Sequence, residues 1–217
     1  MAMRARRRLP GQFQDRNCTQ PDRYPWLFAF ARAQLGGDAP LSLLSFGCCT
    51  GDEVFTLRRY FPGAAITGID VDPHNIAVCQ ARAQAQGDTN LRFTVAASTD
   101  LEPAAAYDAI FCLGVLCLGD LTALGFERSD PFFTFADFER TVTDFARRLK
   151  PNGLLLFHST NFRFGDTVTA SSFDVVLEVD PPELGSAVIF DRDNRLMPGE
   201  CYRAVAFRKR GGSAGGK

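Results

Sequence analysis

The chain has 217 residues with 25 acidic and 24 basic side chains, and its formal charge of -1 carries no bias that would announce a polyanionic partner. Hydrophobic residues make up 46% and charged residues 23%, which supplies one sizeable core and excludes global disorder. The seven Cys, at 18, 48, 49, 79, 112, 117 and 201, are odd in number and lack the spacing of a small secreted disulfide scaffold, so a reducing compartment and a cytoplasmic location are expected.

The opening MAMRARRRLP is basic, but the apolar stretch and small-residue cleavage site of a signal peptide do not follow it. Residues 1–22, with Arg at 4, 6, 7 and 8, read as a flexible basic arm, 23–210 as a single domain and 211–217 as a Gly-rich tail. No segment reaches the roughly 18 continuous apolar residues of a membrane span.

DRYPWLFAFARAQLG predicts a helix stopped by Gly36 and Gly37. LSLLSF at 41–46 predicts a buried strand, GCCTG a tight turn, and DEVFTLRRYF a helix with Val54, Leu57 and Phe61 on one face. AAITGID at 64–70 is the next strand, followed by a helix with Asp72 as N-cap and Pro73 at its first position. LRFTVA at 91–96 and YDAIFCLGVLCLG at 107–119 are further strand candidates, the latter apolar enough to be buried on both faces. Phe135, Phe138, Val142, Phe145 and Leu149 form one helical stripe, which Pro151-Asn152-Gly153 should end. GLLLFHST is the fifth strand, and FDVVLEV and CYRAVAFRK predict an antiparallel ending. The whole alternation predicts a three-layer α/β/α domain.

The strongest chemical signal is SFGCCTGDE at 45–53, a glycine turn between a strand and a helix whose free amide donors can face a ligand. Asp70 lies 19 residues beyond Gly51, the spacing at which a second-strand carboxylate reaches a pair of ribose hydroxyls, and adenosine-type ligands fit that combination. Cys48 and Cys49 read as small packing residues. No Cys or His set near them completes a tetrahedral site, so no metal is expected, and no C-x-x-C thiol motif is present.

GCCTGDE, then GIDVDPHNI, YDAIFCLGVLC and LKPNGLLLF resemble the succession of motifs in class I S-adenosylmethionine (SAM)-dependent methyltransferases, over about residues 40–160. The resemblance implies a Rossmann-like sheet with an antiparallel C-terminal strand, SAM as cofactor and S-adenosylhomocysteine as product. It also implies that Gly47, Cys49 and Gly51 line the methionine side, Asp70 holds the ribose, Val71 packs near the adenine, Ala97 and Ser98 border the base, and Leu113 and Gly114 close the floor. The family often has an acid where Ser45 stands, a glycine where Cys49 stands and an acid near Ala97, so a variant pocket is implied. GCCTGDE is also similar to the turn of the chemotaxis-receptor glutamate methyltransferases, whose substrate is not carried over.

Methyl transfer is an in-line displacement in which alignment supplies much of the rate, and a base is needed only for a protonated acceptor. His158, at the end of the fifth strand, is the candidate base, with orientation of substrate as its other reading. His74 reads as solvent-facing or locally packed, and Asn161 and Tyr24 as possible substrate contacts. Phe126, Phe132 and Phe133 cap an acceptor pocket or fill the core, and Asp120, Glu127 and Asp130 suit a surface. A small-molecule acceptor is preferred, with nucleic acid and protein acceptors left open. The competing readings are a nicotinamide-dependent oxidoreductase, which the missing G-x-G-x-x-G disfavours, and a nonenzymatic adenosine-nucleotide or nucleic-acid-binding protein.

Overall fold

The first glycine-punctuated alternation folds close to its sequence pattern. In a computed structural model, which describes residues 11–13, 19–119, 121, 124–180 and 188–211, helix α1 spans Pro25–Leu35 and ends where Gly36 turns at φ +76°. The Arg cluster at 4, 6, 7 and 8, Cys18, Asp120 and residues 212–217 lie outside the described residues. The chain divides into two units, Met1–Ser98 and Thr99–Lys217.

In the first unit, strands β1 (Ser42–Phe46), β2 (Ala65–Asp70) and β3 (Leu91–Val95) are parallel in the order β3-β2-β1. Helix α2 (Asp52–Tyr60) connects β1 to β2 and buries Val54 and Leu57, while Phe61, just past its end, is also buried. Helix α3 (Pro73–Gln86) starts as its residue types dictate: Asp72 accepts the His74 amide at 2.8 Å, and Pro73 occupies the first turn, where no amide donor is missed. His74 is exposed, in line with its solvent-facing reading. Arg58 clamps the α2–β2 and α3–β3 connections together, pairing with Asp88 at 2.7 Å and donating to the carbonyl of Ala64 at 2.7 Å. The register sets Ser45 beside Gly68 and Asp70 beside Val95, so the chemistry-bearing residues fall at the C-terminal ends of the strands.

The second unit holds β4 (Tyr107–Leu113), α4 (Phe135–Arg148), β5 (Leu149–His158), β6 (Phe173–Glu178) and β7 (Ala204–Lys209), with strand order β4-β5-β7-β6. β4 and β5 are parallel, and β7 runs antiparallel to both β5 and β6, as the C-terminal sequence predicts. Two boundaries differ. The apolar run 107–119 leaves the sheet after Leu113, because Gly114 turns at φ +73°. Pro151-Asn152-Gly153 does not terminate α4, which already ends at Arg148; β5 runs through these residues with Asn152 at φ +66° and a register shift opposite Tyr107 and Ala109.

The Phe residues account for much of this second core. Phe162 is fully buried, with its ring centroid 5.3 Å from Phe133, 5.5 Å from Phe135 and 5.6 Å from Phe138, within the range of favourable aromatic pairs. Lys209, at the end of β7, donates to the carbonyls of Ala146 and Leu149 at 2.6 and 2.8 Å, satisfying acceptors that the end of α4 leaves unpaired. Burial lowers the pKa of this ammonium.

Candidate active site

The turn after β1 is wound through three left-handed positions: Gly47 at φ +74°, Cys49 at φ +50° and Gly51 at φ +93°. The glycines take this conformation without a Cβ penalty, whereas Cys49, where the methyltransferase pattern carries its middle glycine, holds it under strain. The amides of Gly47 and Cys48 donate to the carbonyl of Ile69 at 2.8 and 2.9 Å, which ties the start of the turn to the end of β2. A Cβ on Gly51 would come within 2.9 Å of the Phe55 ring and 3.0 Å of Cys79 Sγ, so glycine is required there by contact as well as by φ.

Asp70 closes this construction. Its Oδ2 accepts the Cys49 amide at 2.9 Å, and its Oδ1 accepts the Asp72 amide at 2.9 Å and Asn75 Nδ2 at 3.1 Å. A carboxylate offers about four lone-pair sites, so three donors fix its orientation and leave acceptor capacity on Oδ2. Its side of the turn suits a neutral diol such as a ribose, which donates hydrogen bonds and brings no competing charge. Val71 follows directly and is half-buried. Ala97 is exposed and Ser98 half-buried, in the segment that continues β3, where the Ala96 amide donates to the carbonyl of Asp70 at 3.0 Å. Gly47, Cys49, Gly51, Asp70 and Val71 thus form one cluster, with Ala97 and Ser98 continuing from the neighbouring strand.

A second carboxylate stands at the same turn. Ser45 is buried and donates to Glu53 Oε1 at 2.7 Å, so the acid absent from strand position 45 is replaced by one reaching back from the first turn of α2. Desolvation pushes the Glu53 carboxyl up to about 7, against the opposing effects of the Ser45 hydrogen bond and the charge of Arg23. In the sequence Glu53 is visible only as an acid favoured by the helix dipole; its pairing with Ser45 depends on the turn folding α2 back over β1. Asn75 likewise gives no sign of its role beyond an amide in the first turn after Asp72.

Leu113, Gly114 and His158 stand in the second unit. Leu113 is buried at the end of β4, and the Gly114 amide donates to the carbonyl of His158 at 2.7 Å. His158 is buried, and its Nδ1 lies 2.8 Å from Ser159 Oγ. Ser159 is itself left-handed at φ +54°, and its amide donates to Tyr202 Oη at 2.6 Å. Asn161 acts as a brace: Oδ1 accepts the Leu118 amide at 2.7 Å and Nδ2 donates to the carbonyl of Val188 at 2.8 Å, so the two ends of its amide are engaged by backbone. Phe133 belongs to the core, while Phe126 and Phe132 are half-buried with ring centroids 4.8 Å apart and planes tilted by 59°. Glu127 and Asp130 are exposed, and Tyr24 is buried at the start of α1. Among the described residues, no group of three or more His, Cys, Asp or Glu is placed to hold a metal ion.

A glycine turn tied to a β2 carboxylate, in an alternating sheet with antiparallel last strands, defines a Rossmann-like cofactor-binding domain of the methyltransferase type. A family model described as a methyltransferase domain matches residues 44–155. The chain is 30% identical over 149 residues to demethylmenaquinone methyltransferase of Thermus thermophilus, covering 68% of this chain and 51% of that protein. It is 32% identical over 129 residues to a putative methyltransferase of Geobacillus sp., covering 58% of this chain and 46% of the other. The fold is similar to that of a putative sarcosine dimethylglycine methyltransferase from Galdieria sulphuraria, with a TM-score of 0.50, 18% identity, and coverage of 63% of this chain and 45% of that one. The chain belongs to the class I SAM-dependent methyltransferases, and it spans about half the length of the curated relatives it matches.

Proposed function

We propose that the protein binds SAM on the β1–α2 turn and transfers its methyl group to a small organic acceptor. The observation that carries the reading is the coupling of the turn to Asp70: one carboxylate oriented by Cys49, Asp72 and Asn75 at the end of β2. Bound there, SAM would supply an electrophilic methyl group on a sulfonium for in-line transfer to the acceptor. The residues of this chain bind and orient. Asp70 accepts from the ribose hydroxyls, and Glu53, beside Ser45, supplies negative charge for the cationic methionine end. Val71, Ala97 and Ser98 contribute to the adenine side, and Leu113 and Gly114 to the floor. His158 takes a proton from an acceptor that arrives protonated; its pairing with Ser159 fixes the ring for that task.

The small-molecule preference is supported by the Thermus relative, whose name gives demethylmenaquinone as its substrate. No disulfide joins the six described cysteines, which suits a reducing, cytoplasmic setting, and no helix among the described residues is long and apolar enough to cross a membrane.

Calorimetry of the folded chain with SAM and with S-adenosylhomocysteine tests the reading. Saturable one-site binding of both is expected. A folded chain that binds neither overturns it.

A further inference from the structure

Three cysteines converge under the cofactor turn, and nothing in methyl transfer requires them. Cys48 and Cys79 are buried, and Cys49 is half-buried between the turn's first and last glycines. Cys79 Sγ donates to the carbonyl of Cys49 at 3.2 Å, and Cys48 Sγ approaches the same oxygen at 3.7 Å. Each thiol also shifts the ionisation of the other. Their place is made by glycines: a Cβ on Gly68 would fall 2.9 Å from Cys48 Sγ, and one on Gly51 would fall 3.0 Å from Cys79 Sγ. Both sulfurs therefore lie against the Cys49 carbonyl, beside the strand that carries Asp70 and the turn that Asp70 holds.

We propose that Cys48 and Cys79 are a redox modification site, joined into a disulfide by a hydroperoxide, and that the bond disables the cofactor turn reversibly. This rests on the SAM-binding reading of the turn. Cys79 is the attacking thiol, because the neighbouring Cys48 thiol and the Arg82 guanidinium lower its pKa against desolvation and the charges of Asp70 and Asp52. Arg82 is held in place by Asp52 at 2.9 Å and lies over the Phe55 ring at 4.2 Å. Cys48, whose pKa is raised chiefly by the neighbouring Cys79 and by burial, stays protonated as the resolving thiol.

The chemistry balances with one peroxide. The Cys79 thiolate attacks the peroxide oxygen and the O–O bond breaks. The alkoxide leaves as an alcohol with the proton that Cys79 lost, and Cys79 becomes a sulfenic acid. Cys48 sulfur then attacks the sulfenic sulfur, and its proton leaves with the hydroxyl as water. Two thiols are oxidised by two electrons, and the peroxide is reduced to an alcohol and a water.

Forming the bond draws the sulfurs to about 2.05 Å and removes both S–H donors from the carbonyl of Cys49. Cys49 is the residue whose amide orients Asp70 and whose left-handed backbone is already strained, so displacement there is transmitted to the ribose-binding carboxylate. A bound cofactor covering the turn slows oxidation.

The test treats the reduced full chain with hydrogen peroxide, maps peptides without reductant by mass spectrometry, and measures S-adenosylhomocysteine affinity before and after. The expected result is a Cys48–Cys79 linked peptide, slower to form with S-adenosylhomocysteine present, a loss of about tenfold or more in affinity (about 1.4 kcal/mol or more), and recovery with dithiothreitol. Cys79→Ser and, separately, Cys48→Ser abolish the linked peptide and the peroxide sensitivity of binding. A different cysteine pairing, or oxidation to sulfinic and sulfonic acids without a link, overturns the proposal. So does a linked protein that binds with unchanged affinity. A reduced chain that binds no S-adenosylhomocysteine defeats the SAM reading instead, while the peptide map still decides the pairing.

Discussion

Replacing Glu53 by Gln separates the stability cost of this carboxylate from its use. Gln keeps an acceptor for the Ser45 hydroxyl and removes only the charge. In the folded chain the Glu53 carboxyl titrates at about 7 instead of the ordinary 4.5, with desolvation as the leading cause. A raised acid is bound to its proton longer in the folded state, so folding is favoured below 4.5, and the cost accumulates as the pH rises through the interval to about 7. At about 1.36 kcal/mol per pH unit the full cost is on the order of 3 kcal/mol, and partial solvent access reduces it to about 1–3 kcal/mol. Glu53→Gln is therefore expected to melt at nearly the wild-type temperature at pH 5 and about 3–10 °C higher at pH 8, using about 2–4 °C per kcal/mol for a chain of this size. The same variant binds SAM more weakly at pH 8, because the cationic end loses its counter-charge. Thermal melts at the two pH values, without cofactor, decide the matter. A difference that is the same at both, or a variant less stable at pH 8, refutes the account of Glu53 as a buried, charge-strained acid.

Asp70→Ala removes a charged acceptor that serves both the ligand and the turn, and each such bond is worth about 1.5–3 kcal/mol; SAM affinity is expected to fall by more than tenfold with some loss of melting temperature, and unchanged affinity by calorimetry removes Asp70 from its role. Asn75→Ala loses only one of the three orienting donors, so a smaller loss of affinity with native-like melting is expected, and an effect as large as that of Asp70→Ala contradicts the ranking. Phe162→Ala opens a cavity among Phe133, Phe135 and Phe138 and should cost about 3–5 kcal/mol in denaturant unfolding, whereas a cost below about 1 kcal/mol would show that those rings do not share a packed core. Lys209→Met leaves the carbonyls of Ala146 and Leu149 without their cation and should destabilise the fold by about 1–3 kcal/mol, read in the same unfolding assay; unchanged stability would show that the two contacts contribute nothing.

The parts legible in the sequence are those written in nearest-neighbour chemistry. Gly47, Gly51, Asp72 and Pro73 act on their own backbones, so the turn and the α3 cap follow from residue type and φ. Period-two and period-3.6 apolar patterns report which face is buried, and they place β1, β2, β3, α2 and α4 within a residue or two of their ends. They fail at the end of β4 and at Pro151-Asn152-Gly153, where an apolar run continues past its strand and a turn-like tripeptide enters one. The left-handed turn at Gly114 decided the first boundary, and pairing of β5 with β4, which is not local, decided the second.

For the site, the order of glycine turn and β2 acid was sufficient to expect an adenosine-type ligand, since that spacing reflects one strand, one helix and one strand of ordinary length. What only the tertiary structure decided is which partners those residues keep. Asp70 is held by Cys49 from 21 positions away, Ser45 borrows its acid from Glu53, Cys79 reaches the Cys49 carbonyl beside Cys48, and the Ser159 amide next to buried His158 is held by Tyr202. Each of these pairings is made by chain folding over a turn or across a sheet. The hydrogen-bond and desolvation energies that set their chemistry depend on distance in space, and the order of residues along the chain does not contain that distance.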